Sequence, residues 1–106
     1  MKIKVKKNKN IPVIKIYGDV IGEDVRKISE KITSFIDSDI TTIIIDLTEV
    51  NVIDSNGLGM FVFTWKLFNS QSKKMLFYNP NGFVKNLFES SNLNKVFTIT
   101  NTLEGL

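Results

Sequence analysis

Neither cysteine nor histidine occurs anywhere in the 106 residues. The first absence excludes disulfides, thiolate nucleophiles and cysteine metal sites. The second excludes a Ser-His-Asp triad, a histidine-ligated zinc and a histidine proton shuttle. Together they remove most routes by which so short a chain becomes an enzyme. No run approaches the ~18 apolar residues that span a bilayer. The amino-terminal stretch Met1-Lys2-Ile3-Lys4-Val5-Lys6-Lys7 alternates charge with apolar residues and lacks the continuous apolar core of a signal peptide. A cytoplasmic protein is expected, with no membrane partner. There is no internal repeat, linker or low-complexity tract.

What is present is ordinary for a globular domain: 42% hydrophobic and 24% charged residues, in a length that suits one domain over residues 1–106. The net charge is +3, and Lys2, Lys4, Lys6, Lys7 and Lys9 crowd the start. Outward lysines that guard an edge strand from unwanted pairing account for them. An electrostatic footprint for nucleic acid is the alternative, but no binding motif accompanies it, so no direct nucleic-acid partner is expected.

Alternation of Ile3 and Val5 with lysines predicts a strand, Asn8-Lys9-Asn10 a turn, and Val13-Ile14-Lys15-Ile16-Tyr17 the second arm of a hairpin. Val25, Ile28, Ile32, Phe35 and Ile36 share a helical face. The run through Ile43-Ile44-Ile45-Asp46-Leu47 reads as a strand covered on both faces. A second helix should run from about Ser55 to Asn69, and Lys74-Met75-Leu76-Phe77-Tyr78 should form a strand. Phe83, Val84, Leu87 and Phe88 give a third helix its apolar face. Val96-Phe97-Thr98-Ile99 predicts a last strand, and residues 101–106 could add a helical turn. The order β-β-α-β-α-β-α-β implies an α/β fold: a mixed sheet of four or five strands, an N-terminal hairpin followed by βαβ units, with helices packed on it.

The second helix carries more apolar surface than one packing face needs. Leu58, Phe61, Val62, Trp65 and Phe68 make one stripe; Met60, Phe63 and Leu67 make another. Either a neighbouring helix covers the second stripe, or it is a docking surface. Just before it lies Asp54-Ser55-Asn56-Gly57, where a buried strand feeds a helix. Unpaired N–H groups at a helix start favour anions, so a phosphate on Ser55 could be received there, by Gly57 N–H among others. Gly57 and Gly59 lack side chains and allow close approach. From the residues alone, a plain N-cap is the simpler role for Ser55. Asp46 and Asp54 are two carboxylates only, too few to signal Mg²⁺. No catalytic residue, metal site or cofactor is expected.

The segment Ile43-Ile-Ile-Asp-Leu-Thr-Glu-Val-Asn-Val-Ile-Asp-Ser-Asn-Gly-Leu-Gly59 resembles the signature of STAS domains, and more narrowly the bacterial anti-sigma factor antagonists. Pro80 before the Phe83–Phe88 helix, then Ser91-Asn92-Leu93, is similar to the family's last helix and bend. The resemblance implies a STAS fold over nearly the whole chain. It also implies that Ser55 is phosphorylated by a partner that is both anti-sigma factor and GHKL-type serine kinase. The unphosphorylated form would bind that partner and free the sigma factor; a PP2C-type phosphatase would reverse the modification. Asp54, Asn56, Gly57, Leu58, Gly59, Met60, Phe63 and Leu67 are the expected partner-binding residues. Two departures stand out: Asn56 replaces the usual hydroxyl residue after the serine, and Ile21 replaces an aspartate expected before the first helix. A STAS scaffold or nucleotide-sensing module without a phospho-switch is the alternative; a small enzyme is a third class, for which no acid–base pair stands out.

Overall fold

A computed structural model describes residues 1–104. Five strands, β1 (Lys2–Asn8), β2 (Ile11–Tyr17), β3 (Thr42–Glu49), β4 (Lys74–Tyr78) and β5 (Thr98–Thr100), form one mixed sheet in sequential order. Helices α1 (Asp24–Thr33), α2 (Ser55–Ser70) and α3 (Gly82–Ser90) make the connections from β2 onward. β1 and β2 are an antiparallel hairpin, and the remaining neighbours are parallel. Parallel strands added one after another by right-handed crossovers place every connecting helix on the same side. Accordingly, Ile14, Ile16, Ile43, Ile45 and Phe77 share a core with Ile28, Ile32, Phe61, Phe68, Val84 and Phe88. The strand alternation turns Val13, Ile44 and Leu76 to the opposite, helix-free side, where Leu103 packs on them beside Ile11 and Tyr78. β3 is thus buried on both faces, as its isoleucine run predicts.

Three details differ from the expectations. The first helix ends at Thr33, and Phe35 and Ile36 follow in tight turns, with Phe35 N–H bonded to Ile32 O and Ile36 N–H to Thr33 O. Their side chains still pack on the core. The Lys73 ammonium donates to the carbonyls of Ile36 (2.6 Å) and Ser38 (2.7 Å), and more distantly to Phe35 (3.4 Å), acceptors that lie past the helix end and have no helical N–H to meet. Phe83 is exposed, because it stands in the first turn of α3 on the flank of the Val84, Leu87 and Phe88 stripe. Val96 is exposed after a short 3-10 turn, Leu93–Lys95, so the last strand begins at Thr98. Asn8 Nδ2 donates to Leu103 O and holds residues 101–104 against the sheet, and the helical turn expected over 101–106 extends beyond the described residues. Residues 105–106 lie outside the described residues. No helix among those described is long and apolar enough to cross a membrane.

Candidate functional site

Parallel β2, β3 and β4 deliver their following loops to one end of the sheet, where sites gather in open α/β folds. Here those loops are tied together. Val20 N–H bonds Val52 O (2.9 Å), and Asp54 N–H bonds Val20 O (3.2 Å). Asn81 Nδ2 reaches back to Val50 O and to Asn51 Oδ1, and Asn79 Nδ2 to Thr48 Oγ1. Thr48 in turn donates, through both its N–H and its hydroxyl, to Oδ1 of the buried Asp46.

Asp54 caps α2. Its backbone is extended, and its Oδ1 accepts from Gly57 N–H (2.8 Å) while Oδ2 accepts from Gly22 N–H (3.0 Å), in the loop before α1. One carboxylate therefore closes the helix start and joins it to the neighbouring loop. The Gly22 N–H, then that of Gly57, hold its pKa below the ordinary 3.8, with Asn56 N–H adding less. A carboxylate whose pKa is lowered by folding stabilises the fold above its unfolded pKa and loses that contribution as pH falls through the folded value. The urea midpoints of wild type and Asp54→Asn should differ most at neutral pH, and the gap should narrow as pH falls below about 4 and close only below the lowered folded pKa. A gap independent of pH would remove the charge from the account.

This geometry corrects two expectations. The cap is Asp54, so Ser55 is the first helical residue and its hydroxyl is not committed to capping. Nor is Gly57 N–H free for a phosphate, because Asp54 Oδ1 holds it. Among the described residues, the Ser55 N–H and hydroxyl make no hydrogen bond, and the side chains of Ser55 and Asn56 are exposed.

The other expected partner-binding residues divide. Gly59 is exposed, with nothing within 4 Å of where a Cβ would sit. Gly57 is buried: a Cβ there would meet Val20 O at 2.6 Å, so its missing side chain serves the loop contact rather than a partner. Leu58 and Leu67 are half-buried, and Leu58 packs on the core. Met60 is only 8% exposed, because α1 lies over it, while Phe63 is 61% exposed. The outward stripe is therefore partly covered and partly open. Between α1 and α2 runs an open groove of about 570 Å³, lined by Gly22, Val25 and Ser29 on one side and Asn56, Met60 and Phe63 on the other. Ile21 and Val52, on the loops flanking Ser55, add exposed apolar surface. Gly22, Asn79 and Asn81 were missed in the sequence; the turn-forming Asn79-Pro80-Asn81-Gly82 was the only signal for the last two. Among the described residues no cluster of three or more acidic side chains is placed to hold a metal.

The STAS domain model matches residues 2–106. The chain belongs to the STAS domain family. Among curated relatives of this STAS chain, the anti-sigma-B factor antagonist of Listeria monocytogenes is 28% identical over 90 residues, 85% of this chain and 78% of that protein. Among solved structures, an anti-sigma factor antagonist from Mycobacterium paratuberculosis superposes with a TM-score of 0.85 at 16% identity, covering 97% of this chain and 87% of its own. The Bacillus cell fate determinant SpoIIAA in its phosphorylated form gives 0.74 at 22% identity, covering 97% and 94%. At such identities the structural matches establish the STAS fold alone.

Proposed function

We propose that this STAS domain, acting as one unit over residues 1–106, is an anti-sigma factor antagonist switched off by phosphorylation of Ser55. It is a binding module that needs no catalytic group of its own. The observation that carries the proposal is the division of labour at the start of α2: Asp54 does the capping, which leaves an exposed serine hydroxyl with no structural duty. The names of the Listeria relative and of SpoIIAA support it. The partner is an anti-sigma factor that is also a GHKL-type serine kinase, a PP2C-type phosphatase restores binding, and all three act in the cytoplasm.

The unphosphorylated protein docks through the bare surface at Gly59, the exposed Phe63 and the open groove. Phosphate on Ser55 adds about −1.5 to −2 charges at the rim of that surface, beside the Asp54 carboxylate. The free N–H of Ser55 at the helix start receives it, so the domain keeps its fold. A partner that must cover the charge pays its desolvation. Incubated with the kinase and ATP, the wild type should gain one phosphate and Ser55→Ala none. Ser55→Asp should bind the anti-sigma factor at least about tenfold more weakly at unchanged stability, a loss of about 1.4 kcal/mol. Phosphate on the alanine variant would defeat the assignment of Ser55; unchanged binding by the aspartate variant would favour a STAS scaffold without the switch.

A further inference from the structure

Charge is segregated between the two sides of the sheet. Alternation along β1 turns Ile3 to the helices and Lys2, Lys4 and Lys6 to the helix-free side. Lys15 on β2 and Lys74 on β4 share that side with Val13 and Leu76, and Lys9 stands at the hairpin tip beside the 101–104 segment. These six lysines meet Asp46, which is buried, and Glu104 there, and Glu49, beside Tyr17 in the ladder, and Asp39, beside Lys9, border the same face. Six of the fourteen cations and four of the eleven carboxylates thus lie on this side, which carries two of the chain's three excess positive charges. The helix side interleaves its charges, as in the Arg26–Glu30 pair. The sheet side does not: Lys4 is directly opposite Lys15 in the hairpin, an arrangement of like charges that works against pairing. An edge-strand guard needs the β1 lysines but not Lys15 or Lys74, which lie on inner strands.

We propose that this face docks on the surface of an anionic lipid bilayer. Its cations are all lysine; the single arginine, Arg26, is on α1. Lysine is a compact hydrated charge suited to diffuse attraction, whereas fork-shaped recognition of individual phosphates selects arginine. The apolar residues of the face are covered by Leu103, and the hollow beside it is lined mostly by polar side chains, Asn8, Lys9, Asn101, Thr102 and Glu104, which gives an apolar peptide anchor little to fill. Stacking of single-stranded nucleic acid needs open aromatic faces. Here Tyr17 lies beneath the ammonium groups of both Lys4 (5.8 Å) and Lys15 (5.1 Å), and Tyr78 is half-buried. A broad surface of spaced lysines fits a broad anionic one. This departs from the expectation of no membrane partner, because the sequence does not show Lys15 and Lys74 joining the β1 lysines. The helices lie on the opposite side, so docking leaves the α1–α2 groove open.

The 106-residue protein would be sedimented with vesicles of pure phosphatidylcholine, or of phosphatidylcholine with about one-third phosphatidylglycerol. Wild type should partition to the anionic vesicles alone at low ionic strength and be released near 1 M salt, where the Debye length shrinks to about 3 Å. Neutralising Lys2→Gln, Lys4→Gln, Lys6→Gln and Lys15→Gln together should lower the partition coefficient by about 100-fold or more, at roughly fivefold per charge. The same loss of charge on the helix side, Lys27→Gln, Lys31→Gln, Lys66→Gln and Lys95→Gln, should change it by less than about tenfold. Circular dichroism would establish that both variants are folded. Equal losses in the two variants, no preference for the anionic vesicles, or tighter binding to a single-stranded oligonucleotide at equal phosphate concentration would each overturn the proposal. The experiment involves no kinase, so its outcome is independent of the role of Ser55.

Discussion

Gly57→Ala should lower the unfolding free energy by about 3 kcal/mol, although it replaces glycine by the best helix former inside a helix. On propensity alone the exchange would be worth about 1 kcal/mol in the other direction. The added Cβ would fall 2.6 Å from the Val20 carbonyl oxygen, 2.8 Å from Val20 Cγ1 and 3.0 Å from Ile53 Cγ2. One of these is a backbone atom whose carbonyl accepts the Asp54 N–H, so it cannot retreat without breaking the tie between the loops. Gly59→Ala is the matched control: with open space around it, the variant should be stabilised by up to about 1 kcal/mol. Thermal unfolding would show the two variants moving in opposite directions, the first down by roughly 15 °C. A Gly57→Ala protein as stable as wild type would contradict the close passage of the two backbones.

Phe77→Ala should cost more, about 4 kcal/mol, and consume a large part of the stability a domain of this size possesses. Phe77 is fully buried at the centre of β4, and its ring meets those of Phe97 (4.5 Å between centroids), Phe61 (5.3 Å) and Phe88 (5.5 Å). Those three rings come from α2, from α3 and from the chain just before β5, so the cavity would open where three connections converge. Edge-to-face geometry with Phe61 and Phe88 adds to simple burial. Urea unfolding can be followed by the single tryptophan, Trp65, whose ring lies 6.2 Å from that of Phe97. A loss below about 2 kcal/mol would mean that the aromatic cluster collapses onto the gap.

The fold was legible wherever one periodicity dominated. The Ile43–Leu47 run suits a doubly covered strand, and the lysine alternation suits a strand with one wet face. Legibility failed where a long-range contact overrides a local pattern. Phe35 and Ile36 keep helical spacing, but the chain tightens there into turns bonded three residues back, and the carbonyls left over are met by the Lys73 ammonium, far along the chain. At the candidate site, the exposure of Ser55 and the openness of Gly59 agree with expectation. The cap was misplaced because Asp54, Ser55 and Asn56 are all good capping residues, and what singles out Asp54 is Gly22, more than thirty positions earlier. Met60 and Phe63 stand in the same predicted stripe, yet only the packing of α1 distinguishes the covered one from the open one.

The sequential strand order bears on how the molecule is made. Every strand hydrogen-bonds to the one synthesised immediately before it, so none waits for a pairing partner still inside the ribosome. The hairpin can form first, and each βα unit emerging at about 5–20 residues per second then finds a growing sheet edge ready to receive it. The Asp54 cap at the head of α2 rests on Val20 and Gly22, which are made well before it, while β5, the shortest strand, closes the sheet last.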